Sequence, residues 1–155
     1  MDAESMAGLA GFSQKAMTAN LEGISHPESL AQPPGGGNCI NWIVGHVLVH
    51  RDKMLEMLGH PPVWTDPARA RYDRGSAPIT GDGPGVVPLD RLRELLERSA
   101  EAVPTALRAA GGKLAEPAGN GTVGQKVGFL QFHEGYHAGQ IGIVRRILGK
   151  EGAIR

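Results

Sequence analysis

Glycine and proline punctuate this chain rather than spreading along it, and the punctuation limits what it can fold into. The 23 glycines and 11 prolines among 155 residues gather at 33–37, 61–62, 75–88 and 111–121. Glycine weakens a helix through backbone entropy and proline breaks it by removing an N–H, so these clusters leave four stretches free to be helices. In 3–22, Met6, Leu9, Ala10, Ala16, Met17 and Leu21 recur at helical spacing. In 39–58, Ile40, Ile43, Val47, Met54 and Leu58 share a face, with Asn38 or Asn41 available as a cap. In 89–109 the stripe is Leu89, Leu92, Leu95, Leu96, Val103 and Leu107; Pro104 is expected to kink the last turn and Gly111-Gly112 to end it. The stretch 122–148 opens on Thr122 and Gln125, a capping-box pair. No segment alternates with period 2. The expectation is an all-α fold, a four-helix bundle in which each helix buries one stripe, built as one domain over 1–155, since a domain takes roughly 150 residues.

The link 59–88 between the second and third helices is long. A helix of about 19 residues spans roughly 28 Å, and this link can return along all of it, which leaves room for those two helices to run parallel. Links of this length in compact domains tend to be functional or mobile; with Trp64, Tyr72 and several arginines, this one is expected to shape the mouth of a pocket.

Charge and cysteine usage exclude several classes. Lys plus Arg and Asp plus Glu each number 16, for a net charge of zero, which argues against a nucleic-acid binder driven by bulk electrostatics. One cysteine, Cys39, rules out a disulfide framework and a cysteine-only zinc knuckle. At a helix start it reads as a small apolar residue rather than a nucleophile. There is no run of ~20 apolar residues to span a membrane, and no basic start followed by an apolar run to mark a secretory signal. The expected location is cytoplasmic, and neither nucleic acid nor membrane is an expected partner.

Histidine carries the chemistry. Residues four apart on a helix are about 40° apart around it, so His133 and His137 share a face. Phe129, Leu130, Val144, Ile147 and Leu148 are placed on that face too, so both imidazoles are expected to point into an apolar stripe. His46 and His50 repeat the spacing beside Ile43, Val47 and Met54. A single histidine on an apolar face is usually a hydrogen-bonded core residue. Two such pairs on two helices point to a metal instead, because converging neutral imidazoles suit zinc, nickel, copper or iron. A catalytic site takes three protein ligands and keeps a position open. His26 and His60 fall in connections and read as solvated.

The string His133-Glu134-Gly135-Tyr136-His137 also matches H-E-x-x-H, in which Glu134 would be the general base of a zinc hydrolase. Its neighbours oppose this. Gln140 and Ile143 stand where the longer metzincin pattern needs glycine and histidine, and the one carboxylate beyond His137 is Glu151. Glu134 is placed at the edge of the apolar stripe.

The run Asn38-Cys39-Ile40-Asn41-Trp42-Ile43-Val44-Gly45-His46 resembles the N-x-x-x-W-x-x-G-H segment of the DinB-like superfamily, and His133 to Ile141 resembles its H-x-x-x-H-x-G-Q-I segment. The Arg145 to Lys150 run also fits. The resemblance covers nearly the whole chain. It implies a four-helix bundle with up-down-down-up connectivity, in keeping with a parallel second and third helix. It implies a divalent metal, commonly zinc or nickel, held by His46, His133 and His137. His50 is outside that triad and is expected to sit behind the ligands or in the core, with a fourth-ligand role left open. Some members of the superfamily are S-transferases or isomerases that use glutathione, mycothiol or bacillithiol. A metal with an open position lowers the pKa of a bound thiol and holds it as thiolate, so no protein cysteine is needed. The resemblance therefore implies a metal- and thiol-dependent transferase acting on a small electrophilic molecule. A metal-binding bundle without turnover, a sensor or stress-response protein, is the alternative from another class. No residue is singled out as catalytic. Arg145 and Arg146 are read as surface charge and Tyr136 as a buried core tyrosine.

Gly124, Gly128, Gly135, Gly139 and Gly142 form one stripe on the last helix, roughly opposite the histidines. Each costs about 1 kcal/mol relative to alanine, so the stripe suggests that another backbone approaches there, from this chain or from a second subunit. A homodimer is the expected assembly.

Overall fold

The computed structural model describes residues 2–153, and it is mostly helical. Its α-helices are α1 (Ala3–Leu21), α2 (His26–Ser29), α3 (Ile40–Met57), α4 (Leu89–Ala109) and α5 (Val123–Ile147). The four long ones coincide with the stretches marked by apolar spacing to within a residue at each end. Local chemistry sets several boundaries. Asp2 caps α1 by accepting the Ser5 N–H at 2.8 Å. At α5 the capping box closes in both directions, with Thr122 N–H donating to Gln125 Oε1 and Gln125 N–H to Thr122 Oγ1.

One local expectation is corrected. Cys39 occupies the N-cap of α3 without a side-chain bond. Neither Asn38 nor Asn41 caps it; Asn41 lies inside the first turn and reaches across, its Nδ2 donating to the Val87 carbonyl at 2.9 Å. Helix α4 runs through Pro104 to Ala109, and Leu96 and Leu107 on either side of the proline are buried.

Helix α1 packs on α4 and α5, and α3 packs on α4 and α5. One apolar cluster, around Met17, Ile43, Trp42, Tyr72 and Leu92, fills one end of this arrangement; a second, around Met6, Met54, Leu55, Leu107 and Val127, fills the other. Each fully buried aliphatic chain contributes about 1.5–3 kcal/mol.

The 59–88 link is part of this core. The buried Asp52 carboxylate accepts the N–H groups of Val63 and Trp64. Trp64 and Tyr72 are buried. The Tyr72 hydroxyl donates to Asn41 Oδ1 at 2.9 Å and accepts the Val87 N–H at 2.7 Å. The link thus clasps α3 to the segment that leads into α4. His26, expected to be solvated, belongs to the same clasp: its Nδ1 accepts the Leu89 N–H at 3.2 Å. Arg145, expected to be plain surface charge, donates to the carbonyls of Asn20 and Glu22 where α1 ends, as a cation at a helix C-terminus should.

The expected stripe on α5 is buried only in part. The buried side carries Val127, Gln131, Glu134, His137, Ala138, Ile141 and Val144, with Leu130 and Leu148 partly buried against the core, while Phe129, Phe132, Tyr136, Ile143 and Ile147 are exposed. Tyr136 is therefore no core residue, and Phe129 and Ile147 do not bury the histidines. Counting apolar residues at helical spacing cannot separate a stripe facing the core from one facing outward. Among the described residues the glycine stripe meets its own chain at two points, Gly124 against Leu114 and Gly142 against Asn20, and nothing stands near a side-chain position on Gly128, Gly135 or Gly139. No helix among the described residues is long and apolar enough to cross a membrane.

Candidate metal centre

Helix α3 delivers His46 and His50 one turn apart, and α5 delivers His133 and His137 from the facing side. The four rings form one cluster. Their centroids are 4.3 Å apart for His46 and His50, 4.5 Å for His50 and His133, 4.3 Å for His133 and His137, and 5.1 Å for His46 and His137. The ring nitrogens that His46, His50 and His133 offer lie within 4.8 Å of one another. His137 joins through His133, with their Nε2 atoms 3.1 Å apart.

Outer partners decide which nitrogen each ring turns inward. His46 Nδ1 lies 2.8 Å from the Tyr72 carbonyl and His50 Nδ1 2.9 Å from the His46 carbonyl. A carbonyl only accepts, so both Nδ1 atoms carry the proton and both Nε2 atoms keep a lone pair. His137 Nδ1 is 2.7 Å from Gln140 Oε1. The Gln140 amide nitrogen faces the Tyr136 hydroxyl, so here too the proton sits on Nδ1 and the lone pair on Nε2. Imidazoles held this way by carbonyl or amide oxygens are oriented as metal ligands usually are. His133 is the exception. Its Nδ1 is buried without a hydrogen-bond partner among the described residues, a deficit that costs about 1–3 kcal/mol when nothing relieves it.

The surroundings disfavour protonation of the rings. Burial, with repulsion from the neighbouring rings, pushes His46 and His133 down to about 4; His50 and His137 are also lowered, chiefly by burial. At neutral pH the cluster is a set of uncharged imidazoles, the form that binds metal.

The surroundings account for the sequence motifs. Trp42 stacks on His46 at 4.3 Å with planes 18° apart and anchors its own indole N–H on Ser76 Oγ. Gly45 lets the Tyr72 ring lie against the helix; a β-carbon there would collide with it. That contact brings the Tyr72 carbonyl to His46. Cys39 is buried, and burial raises its thiol pKa, the opposite of what a nucleophile needs.

Glu134 has a different occupation from the one H-E-x-x-H suggests. It is buried, and Arg51 binds both of its oxygens. Arg51 also donates to Gln14 Oε1, the Leu96 carbonyl and Ser99 Oγ, so the pair ties α3 and α5 to α1 and α4. A carboxylate engaged in this way is not a free general base. The signal for it was present, since Arg51 and Glu134 stand next to histidines on helices expected to face each other, but a pairing across 83 residues needs the tertiary structure.

Beside the cluster a groove of about 960 Å³ runs between α3 and α5. Lys53, one turn past His50, and Phe129, whose ring lies 6.3 Å from that of His133, both line it, with Lys126 further along.

No curated protein matches the chain. The family model of the DinB superfamily matches residues 12–141, a span that holds all four histidines, Trp42, Gly45 and Gln140. With that match over most of its length, the chain belongs to the DinB superfamily.

Proposed function

We propose that this protein holds one divalent ion, zinc or nickel, through His46, His133 and His137, and uses it to bind a low-molecular-weight thiol for transfer to a small electrophilic molecule. The observation that carries the metal is the arrangement of lone pairs. His46, His50 and His137 spend their Nδ1 protons on fixed oxygen acceptors and keep Nε2 as a lone pair, that of His137 facing His133 Nε2, while the buried Nδ1 of His133 has no partner among the described residues. Burial keeps these rings neutral, and neutral imidazoles with inward lone pairs are the form that ligates a divalent ion. When bound, the ion would acidify a coordinated thiol. The adjoining groove is lined by Lys53, which pairs with Asp73, by Glu56 and by Lys126, and the Lys126 ammonium is the group there that would meet the carboxylate of a peptide thiol. The test is turnover: zinc- or nickel-loaded protein is offered a panel of small thiols with a model electrophile, and thiol consumption is followed against protein stripped of metal. Silence across the panel supports the second reading, a metal-binding protein without turnover, which His50 favours because a fourth imidazole would close the coordination sphere.

The connectivity belongs to the same proposal. In an up-down-down-up bundle α1 and α5 run parallel, as do α3 and α4. This is supported by Gln131 reaching the Met6 carbonyl while Asn20 reaches Ala138, and by Arg51 reaching Leu96 while Asn41 reaches Val87. Glu4 pairing with Arg108 and Arg93 with Leu21 set α1 against α4 in the opposite sense.

A homodimer is proposed through the exposed side of α1 and α5. Leu9 and Phe12 on α1 and Phe129, Phe132, Tyr136, Ile143 and Ile147 on α5 are exposed large apolar residues. At about 150–250 Å² for a whole aromatic side chain, they present on the order of 800 Å², the amount one partner contributes to a stable interface. Between them lies a groove floored by Gly135, Gly139 and Gly142, into which the aromatic ridge of a second copy would fit. A cytoplasmic location fits this reading.

A further inference from the structure

His50 is the one ring of the four that the DinB-type triad leaves without work, and the structure does not treat it as filling. Its Nδ1 proton is committed to the His46 carbonyl at 2.9 Å, which leaves Nε2 a bare acceptor, and among the described residues no hydrogen-bond donor meets that atom. Its ring packs at 4.3 Å on His46 and at 4.5 Å on His133, and both contacts are ring to ring rather than N–H to nitrogen. A residue that merely oriented the ligands would hydrogen-bond one of them, as the Tyr72 carbonyl and Gln140 do. His50 bonds neither ring. Its offered nitrogen is also one of the three that lie within 4.8 Å of one another, together with those of His46 and His133. A tetrahedral zinc with bonds of 2.0–2.1 Å sets its nitrogens ~3.3 Å apart, so the nitrogens of His46, His50 and His133, all within 4.8 Å of one another, need only draw together to share one ion.

We propose that His50 Nε2 is a ligand of the ion, so that the resting centre draws on four imidazoles, His46, His50, His133 and His137, instead of three. The inference rests on the metal reading above and deepens it. Four neutral imidazoles leave the ion its full charge and complete a tetrahedron, so a thiol must replace one ring or expand the coordination to five. His46 and His137 are buried, while His50 and His133 are only half-buried. Lys53, one turn past His50, lines the groove. The exchangeable position is therefore on the His50 side.

The test is long-range proton–nitrogen NMR of the histidine rings in the whole protein, free of metal and with one equivalent of zinc, together with zinc affinity by competition with a chromophoric chelator. The expected result is that the His50 Nε2 resonance leaves its bare lone-pair position together with those of the other ligands, and that His50→Ala lowers zinc affinity at least ten-fold. An unmoved His50 Nε2 in zinc-loaded protein overturns the four-imidazole centre and leaves the three-histidine reading standing, even if His50→Ala weakens binding. A wild-type protein that takes up no zinc overturns both. Because the NMR readout uses wild-type protein, a variant that fails to fold does not remove the test.

Discussion

Arg51 closes on both carboxylate oxygens of Glu134 at the point where α1, α3, α4 and α5 come together. Removing one partner of a buried ion pair leaves the other charge stranded, at a cost of about 3–5 kcal/mol. Glu134→Ala is therefore expected to lower the unfolding free energy by that amount in urea titrations. The variant, once folded, should still bind one equivalent of zinc, because no histidine depends on Glu134 for its orientation. Unchanged stability with lost zinc binding would make Glu134 part of the centre after all.

Gly45 and Tyr72 lie so close that a methyl group cannot enter between them. Overpacking of this kind costs typically about 1–3 kcal/mol, and here the relief must come from moving the segment whose carbonyl holds His46 Nδ1. Gly45→Ala should lower the Tm and weaken zinc binding together. The affinity loss expected from disturbing such an outer partner is 10–100-fold, read by chelator competition.

Acid should unfold the metal-free protein early. His46 and His133 are held at about 4, against about 6.5 in an unfolded chain. Between these values the unfolded chain binds more protons. The stability from keeping them neutral is thus complete above about pH 6.5 and lost as the pH falls toward 4. For the deeply buried His46 the loss approaches at most about 1.4 kcal/mol per pH unit. Thermal melts in chelator should show a Tm that is flat from pH 7 to 8 and declines from 6.5 to 5; a Tm constant down to pH 5 would contradict the assignment.

Metal should reverse part of that loss. An ion that binds only the folded state stabilises it by about 2.7 kcal/mol at a free concentration one hundred times its Kd. Zinc or nickel should raise the Tm at pH 7.5 and chelator should restore the original value. The gain should shrink toward pH 5, where protons compete for the same nitrogens. The measurement is a melting curve at each pH with and without metal.

The outward side of α5 predicts assembly. Phe132→Glu and Ile143→Glu place charges on exposed positions and should leave the helical circular dichroism intact. Light scattering coupled to size-exclusion chromatography should report a dimer for the parent protein and a monomer for the double variant. A monomeric parent at tens of micromolar would remove the proposed interface.

How much of this was legible beforehand differs from residue to residue. The limits of α4 at Leu89 and Ala109 and the Thr122–Gln125 box at the head of α5 were readable because caps, breakers and apolar spacing act over a few residues. So was the chance that His46, His50, His133 and His137 converge, since an i,i+4 pair on each of two helices needs only that the helices face each other. The outward turn of Phe129 and Tyr136 was not readable, because a helix this apolar on several sides has no single stripe to follow.

Local sequence, then, was enough to set where the helices begin and end and which imidazoles share a helical face, since both follow from neighbours within a turn or two. Tertiary packing alone decided that Arg51 meets Glu134, that the Tyr72 carbonyl holds His46 Nδ1 and that the His133 Nδ1 is left without a partner among the described residues. Each of these depends on the side chain or carbonyl that another part of the chain places within about 3 Å, and spacing along one helix carries no information about that.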